Sequence, residues 1–294
     1  MARILVAGLV NLETTLRVDA FPIEWQPVRY PFFGIGASAA GVGFNVSKAL
    51  GVLGNEVDLL SLMGDDAVGA LVRSALASIP VDSRNVIQSL PQTPQSVILY
   101  DAAGTRQIFT DLKNVQASTY PPERFATALA RADGCVLCNI NFARPFLAAA
   151  RAAGKKIATD VHALAEIDDT YNSDFMQAAD IHFMSHERLP VAPDAWARAI
   201  MARHAPEILV IGMGAEGALL AERESGTRTH LPALSLRPIV STVGAGDALF
   251  ACFVDGYWRG LPAHDALARA MRFAAWKIGD ASASDGFLTP AALD

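Results

Sequence analysis

Residues Ser241-Thr242-Val243-Gly244-Ala245-Gly246-Asp247 run directly into the apolar stretch Ala248-Leu249-Phe250-Ala251-Cys252-Phe253. An apolar lead-in at 236–240 reads as a strand, the small residues as a turn and the apolar stretch as a helix. Backbone N–H groups at a helix start, left open by glycine, form an anion site. An aspartate beside that site can take a proton from an attacking hydroxyl. A cradle for charge developing on phosphate, next to a positioned base, is what phosphoryl transfer requires. Taken alone, the segment also reads as an N-cap and a tight turn.

A second run, Gly41-Val42-Gly43-Phe44-Asn45-Val46-Ser47, offers another glycine-bordered helix start. Its glycines let a small hydroxylated ligand approach the backbone, and Asn45 brings a donor and an acceptor to the first turn. A third run, Gly212-Met213-Gly214-Ala215-Glu216-Gly217, matches the spacing of a dinucleotide fingerprint after an apolar strand. No helix pattern follows it. The next residues read as a hairpin through 218–231, which argues against a nicotinamide or flavin site. The stretch Gly34-Ile35-Gly36-Ala37-Ser38-Ala39 fits the relaxed fingerprint only by spacing, since no first strand leads into it.

These residues must be held by a larger frame. Short apolar runs at 4–10, 57–62, 95–101, 106–111, 134–140, 156–160, 181–184 and 208–212 predict strands. Amphipathic stretches at 43–53, 66–78, 121–130, 142–153, 193–204, 246–259 and 262–277 predict helices. The alternation implies a mostly parallel sheet wrapped on both faces, with ligands at the carboxyl ends of its strands. Residues 13–33 and 93–113 break it and read as β-ribbons, the second a hairpin turning at 102–104. Together they predict a small sheet covering the site, with the core formed by 1–12, 34–92 and 114–294. The ribbons carry Trp25, Tyr30, Phe32, Phe33 and Phe109, which suit packing, stacking on a flat acceptor, or pairing with a second subunit. Arg17, Arg106 and Lys113 stand as solvated surface charges or as phosphate contacts.

Composition bounds the rest. The 294 residues are 52% hydrophobic and 18% charged, enough for a sizeable core in one or two domains. No apolar run approaches the ~20 residues that span a bilayer, and the start reads as a buried strand rather than a secretory signal. The net charge of −6 and the absence of a basic run exclude nucleic acid as a natural partner. The three cysteines fit a reducing, cytoplasmic setting. Cys135 and Cys138 match a CxxC spacing, but a strand there would turn the thiols to opposite faces, so they read as structural.

The 41–54 run, the stretch Leu62-Met63-Gly64-Asp65-Asp66-Ala67-Val68-Gly69 and the 244–247 segment, in that order, closely resemble the ribokinase or PfkB family of carbohydrate kinases. The resemblance covers essentially the whole chain. It implies a three-layer α/β/α core with a small β lid, and transfer of the γ-phosphate of ATP, carried with Mg²⁺, to a hydroxymethyl group. Asp247 would be the base, with the Gly244, Ala245 and Gly246 N–H groups on the transferring phosphate and Thr242 beside the nucleotide phosphates. Asn11, Glu13, Gly41, Gly43 and Asn45 would hold the acceptor. Gly212, Gly214 and Gly217 would form the nucleotide-side turn, and Asp160, two before His162, would sit near the phosphates.

Departures from the pattern bear on metal and acceptor. Ser185 and Arg188 stand where the family carries the asparagine and glutamate of its metal-site motif, leaving Glu187 as the candidate metal residue. Ser241 stands where aspartate is common, so potassium dependence is not implied. Glu13 replaces an aspartate, Gly212 a threonine, His162 an asparagine and Ala40 a glycine. Relatives act on sugars and on nucleosides, and both stand as readings; a phosphorylated sugar is disfavoured by the lack of basic residues near Gly41. A homodimer joined through the lid is expected. The competing reading is a sugar- or nucleoside-binding regulatory protein that kept the fold and lost turnover.

Overall fold

The computed structural model describes residues 2–102 and 104–293. Its strands are β1 (Arg3–Ala7), β2 (Asn11–Arg17), β3 (Ile35–Ala40), β4 (Glu56–Gly64), β5 (Asp82–Leu90), β6 (Gln95–Tyr100), β7 (Arg106–Asp111), β8 (Gly134–Leu137), β9 (Lys156–Ala163), β10 (Ile181–Ser185), β11 (Ile208–Gly212), β12 (Ala218–Glu222) and β13 (Arg228–Leu231). Its helices are α1 (Val42–Val52), α2 (Ala67–Leu76), α3 (Pro122–Arg131), α4 (Phe146–Ala152), α5 (Ser173–Ala178), α6 (Pro193–His204), α7 (Ala245–Trp258), α8 (Ala263–Lys277) and α9 (Pro290–Leu293).

The pleat of β1 explains the layers. Ile4 and Val6 pack on one face with Phe44 and Leu50 of α1 and with Phe250 and Phe253 of α7. Leu5 and Ala7 pack on the other with Phe125 of α3, Phe146 of α4 and Trp196 of α6. Side chains alternate across a strand, so one apolar run serves two cores. The large sheet has nine strands in the order β13-β12-β11-β10-β9-β8-β1-β4-β5. It is parallel from β5 to β11, with β12 and β13 antiparallel at one edge. The α/β/α architecture expected from the alternation is therefore present. The 218–231 hairpin is too, which explains why a fingerprint-like glycine run is followed by no helix.

The smaller sheet has the order β3-β2-β6-β7. Its strands extend beyond the 13–33 and 93–113 stretches read as ribbons. Asn11 pairs with Ala40 and Leu16 with Ile35, so residues 11–12 and 35–40, read with the core, hydrogen-bond in the smaller sheet. Between β2 and β3 the chain forms no strand, and Trp25, Tyr30, Phe32 and Phe33 are exposed there. The hairpin turn expected at 102–104 includes Ala103, which lies outside the described residues.

Two other differences have physical reasons. Residues 236–240 are not a strand: the N–H groups of Val240 and Ser241 both bond the carbonyl of Ile278 at the end of α8, at 2.9 and 3.1 Å. The turn that follows is therefore hung from a helix end. The edge strand β5, Asp-Ser-Arg-Asn-Val-Ile-Gln-Ser-Leu, has too little apolar alternation to announce itself. The pleat also settles the cysteines: Cys135 packs with the α3–α6 face and Cys138 with the α1–α7 face.

Candidate active site

Two helices begin at one cavity without a side-chain cap. Helix α1 starts after Gly41 and α7 after Gly244. The Phe44 N–H bonds the Leu9 carbonyl at 3.3 Å and the Ala245 N–H the Thr242 carbonyl at 3.2 Å. This leaves first-turn N–H groups such as those of Val42 and Gly246, both at the cavity, for a ligand. Gly244 has φ 76°, and a Cβ there would lie 2.2 Å from the Ala283 carbonyl oxygen. Only glycine makes this turn. A Cβ on Gly246 would meet nothing within 4 Å, because this residue faces the open cavity.

The cavity measures about 1230 Å³ and runs from the smaller sheet to the β11–β12 turn. Asp247 stands in the first turn of α7, half-buried, and its Oδ2 accepts a hydrogen bond from Asn45 Nδ2 at 2.7 Å. Burial pushes its carboxyl up to about 6, and the Asp160 charge acts in the same sense. The Asn45 hydrogen bond, His162 and Lys277 oppose the rise. Glu13 projects from the inner face of β2. Burial and the Asp247 charge push it up to about 7, against Lys277. A group whose charged form is disfavoured by both burial and a like charge marks a site built for something other than stability.

The inner faces of β2 and β6 carry a polar row. Asn11 Nδ2 donates to Ser96 Oγ at 2.7 Å, and Ser96 Oγ to Thr110 Oγ1 at 3.2 Å. Asn11, Glu13 and Asn45 are 3%, 6% and 3% exposed. Asn11 Oδ1, Glu13 Oε1 and Asn45 Oδ1 have no hydrogen-bond partner, and all three residues line the cavity.

Of the residues singled out in the sequence, Asn11, Glu13, Gly41, Asn45, Asp160, Glu187, Gly212, Gly214, Gly217, Thr242, Gly244, Ala245, Gly246 and Asp247 all line this cavity. Gly43 does not: a Cβ on it would lie 2.5 Å from the Gly8 carbonyl carbon, so it seats α1 against the end of β1. Asp160 Oδ1 accepts the His162 N–H at 2.8 Å, with His162 held at φ 60°. Glu187 is tied to the lid: Arg106 of β7 donates to Glu187 Oε1 at 2.8 Å and to Thr242 Oγ1 at 3.0 Å. No group of three His, Cys, Asp or Glu suited to a metal ion occurs among the described residues. Asp160 and Glu187 do line one cavity, and Mg²⁺ carried by phosphates and water asks for only one or two carboxylates.

None of Trp25, Tyr30, Phe32, Phe33 and Phe109 lines the cavity, so stacking on a flat acceptor finds no support in them. Ser96, Thr110, Gln116, Asn139 and Tyr171 do line it and went unnoticed in the sequence; inward alternation along β6 and β7 was the available signal for the first two. Lys277, also unnoticed, lies behind the turn. It occupies the buried face of α8 defined by Ala266, Ala270 and Phe273.

Comparison with known proteins agrees with this fold. The model for pfkB family carbohydrate kinases matches residues 1–290. An ATP-dependent ribose-1-phosphate kinase from Halopiger xanaduensis is 30% identical over 262 residues, covering 86% of this chain and 84% of its own. An acarbose 7(IV)-phosphotransferase from an Actinoplanes species is 25% identical over 265 residues, covering 88% and 86%. Among solved structures, the microbiome-derived acarbose kinase Mak1 shares the fold, with a TM-score of 0.89 at 24% identity over 99% of this chain and 97% of that one.

Proposed function

The chain belongs to the pfkB family of carbohydrate kinases, which transfer phosphate from ATP to a sugar, and on that premise we propose that its acceptor is a neutral, polyhydroxylated sugar phosphorylated on a hydroxymethyl group with Asp247 as base. The observation that carries this reading is the set of three unpartnered oxygens, Asn11 Oδ1, Glu13 Oε1 and Asn45 Oδ1, around Asp247. A buried acceptor left unmade costs ~1–3 kcal/mol. Three of them in one wall call for a ligand rich in donors. Sugar hydroxyls are donors; a phosphorylated sugar would set its own oxygens against these. Glu13 adds to that discrimination wherever it is ionised.

The chemistry follows from the placement. Asn45 orients the Asp247 carboxylate, which takes the proton of the acceptor hydroxyl as that oxygen attacks the γ-phosphorus. The bond from that phosphorus to the β–γ bridging oxygen breaks, and ADP leaves. The N–H groups of Gly244 and Gly246 and the dipole of α7 meet the charge that develops on the transferring oxygens. Apolar residues Ile239, Val240, Met271 and Ile278 along the far wall suit the nucleotide base. Mg²⁺ arriving with ATP would neutralise phosphate charge, with Asp160 and Glu187 as the carboxylates available to it. The smaller sheet keeps water from the transferring phosphate.

The outer face of that sheet supports a homodimer. Ile35, Val97 and Phe109 share that face and are 65%, 42% and 51% exposed. Light scattering is expected to give twice the chain mass, and a monomer at micromolar concentration would overturn this part of the reading.

The acceptor is tested by ADP release from ATP and Mg²⁺ with neutral sugars, their phosphorylated counterparts and nucleosides. Turnover with neutral sugars is expected. Turnover confined to phosphorylated sugars or to nucleosides would overturn the assignment.

A further inference from the structure

Lys277 ends α8 with its side chain wholly buried, 0% exposed, beneath the Gly244–Gly246 turn. Its Nζ donates to the carbonyl oxygen of Val243. A buried ammonium is costly unless its charge is balanced. The charged groups around it are Glu13 from β2, Asp247 from α7, and Asp280 and Asp285 from the segment after α8. Asp280 is already paired with Arg237, and Asp285 with Lys48 at 2.9 Å. The balance therefore falls mainly to Asp247 and Glu13, the two carboxyls that face the acceptor side of the cavity.

The hydrogen bond has a directional consequence. In a planar trans peptide the C=O and the following N–H point opposite ways. With the Val243 carbonyl drawn down onto the ammonium, the Gly244 N–H is aimed away from Lys277, toward the cavity that Gly244 lines. Ser241, at the base of the same turn, is 4% exposed and brings no charge; its hydroxyl oxygen accepts the Val243 N–H at 3.3 Å. Lys277 is thus the cation bonded to the underside of the turn.

We propose that Lys277 is a positioning residue for phosphoryl transfer, a built-in monovalent cation that fixes the orientation of the 243–244 peptide and supplies fixed positive charge behind the transferring phosphate. The inference rests on the kinase reading above. Its consequence is that turnover needs no monovalent cation from solution, whereas an enzyme stripped of the ammonium acquires that need.

The test compares wild type, Lys277→Met and Lys277→Ala, all with ATP, Mg²⁺ and the acceptor in tetramethylammonium buffer. Ammonium, potassium or sodium chloride is then added at constant ionic strength. Wild type is expected to turn over equally in all of them. Lys277→Met is expected to lose about 100-fold in kcat, the scale of losing one transition-state donor, with the KM values for ATP and acceptor little changed. Lys277→Ala is expected to lose as much and to recover part of it with ammonium or potassium, but not with tetramethylammonium. Stimulation of wild type by potassium would overturn the proposal, and that arm needs no variant to fold. So would a Lys277→Met enzyme with wild-type kcat, or a Lys277→Ala enzyme that no cation rescues. Absence of wild-type turnover with every acceptor overturns instead the kinase reading on which the proposal stands.

Discussion

Asn45 and Asp247 are 202 residues apart in the chain, yet the amide of one donates to the carboxylate of the other at 2.7 Å. Each stands in the first turn of a helix without a side-chain cap, α1 for Asn45 and α7 for Asp247. The contact therefore fixes the start of α1 against the start of α7. It also stabilises the charged form of Asp247, which burial otherwise pushes up to about 6.

Replacing Asn45 with leucine removes a donor that favours the carboxylate. The Asp247 pKa is then expected to rise above its present value, and the acid limb of kcat/KM to move to higher pH. Misplacing the base is also expected to lower kcat by about 10²-fold. A pH–rate profile of the variant checks both. An acid limb that stays put would show that the hydrogen bond does not tune Asp247.

Glu13→Gln is expected to leave that limb in place, because Glu13, raised to about 7, is still protonated while Asp247, raised to about 6, titrates. Its effect on stability has a definite sign. In the folded protein the Glu13 carboxyl is raised from 4.5 to about 7, so the native state holds its proton more tightly than the unfolded chain does. The stability this provides is complete below pH 4.5 and is lost as pH rises through about 7. The variant should therefore gain Tm relative to wild type at pH 8 but not at pH 4. A Tm difference independent of pH would contradict this account of Glu13.

Arg106 joins lid strand β7 to Thr242 and Glu187. The ion pair is partly exposed, with side chains 32% and 54% accessible, so it contributes at most ~1 kcal/mol to stability. Arg106→Met is expected to leave Tm unchanged while weakening closure. Acceptor-independent ATP hydrolysis should rise, and kcat should fall by about tenfold. Lower hydrolysis with a lower Tm would assign Arg106 to folding instead.

Much of this was legible in the residues. Short apolar runs alternating with helical patterns gave the α/β/α core because they record burial on two faces, as Ile4 and Leu5 do on β1. Gly244 and Asp247 were legible because a positive φ and an uncapped helix start leave few residue choices. The smaller sheet was legible in kind but not in extent. The run Ile-Gly-Ala-Ser-Ala-Ala of β3 lacks the β-branched alternation of a strand and owes its state to pairing with β2. Lys277 was hidden for a different reason. A lysine at the C-terminal end of a helix ordinarily favours the dipole from solvent, and only its register with Ala266, Ala270 and Phe273 shows that this one points inward. Contacts such as Arg106 with Thr242 arise between segments 136 residues apart, and no local pattern reports them.

The most direct test of the account is Asp247→Asn, assayed for acceptor-dependent ADP release beside wild type, with binding of ATP and sugar followed by thermal shift. The account predicts a loss of about 10²–10⁴ in kcat and retained binding of both ligands. A variant that phosphorylates its acceptor at near the wild-type rate would contradict the assignment of Asp247 as the base.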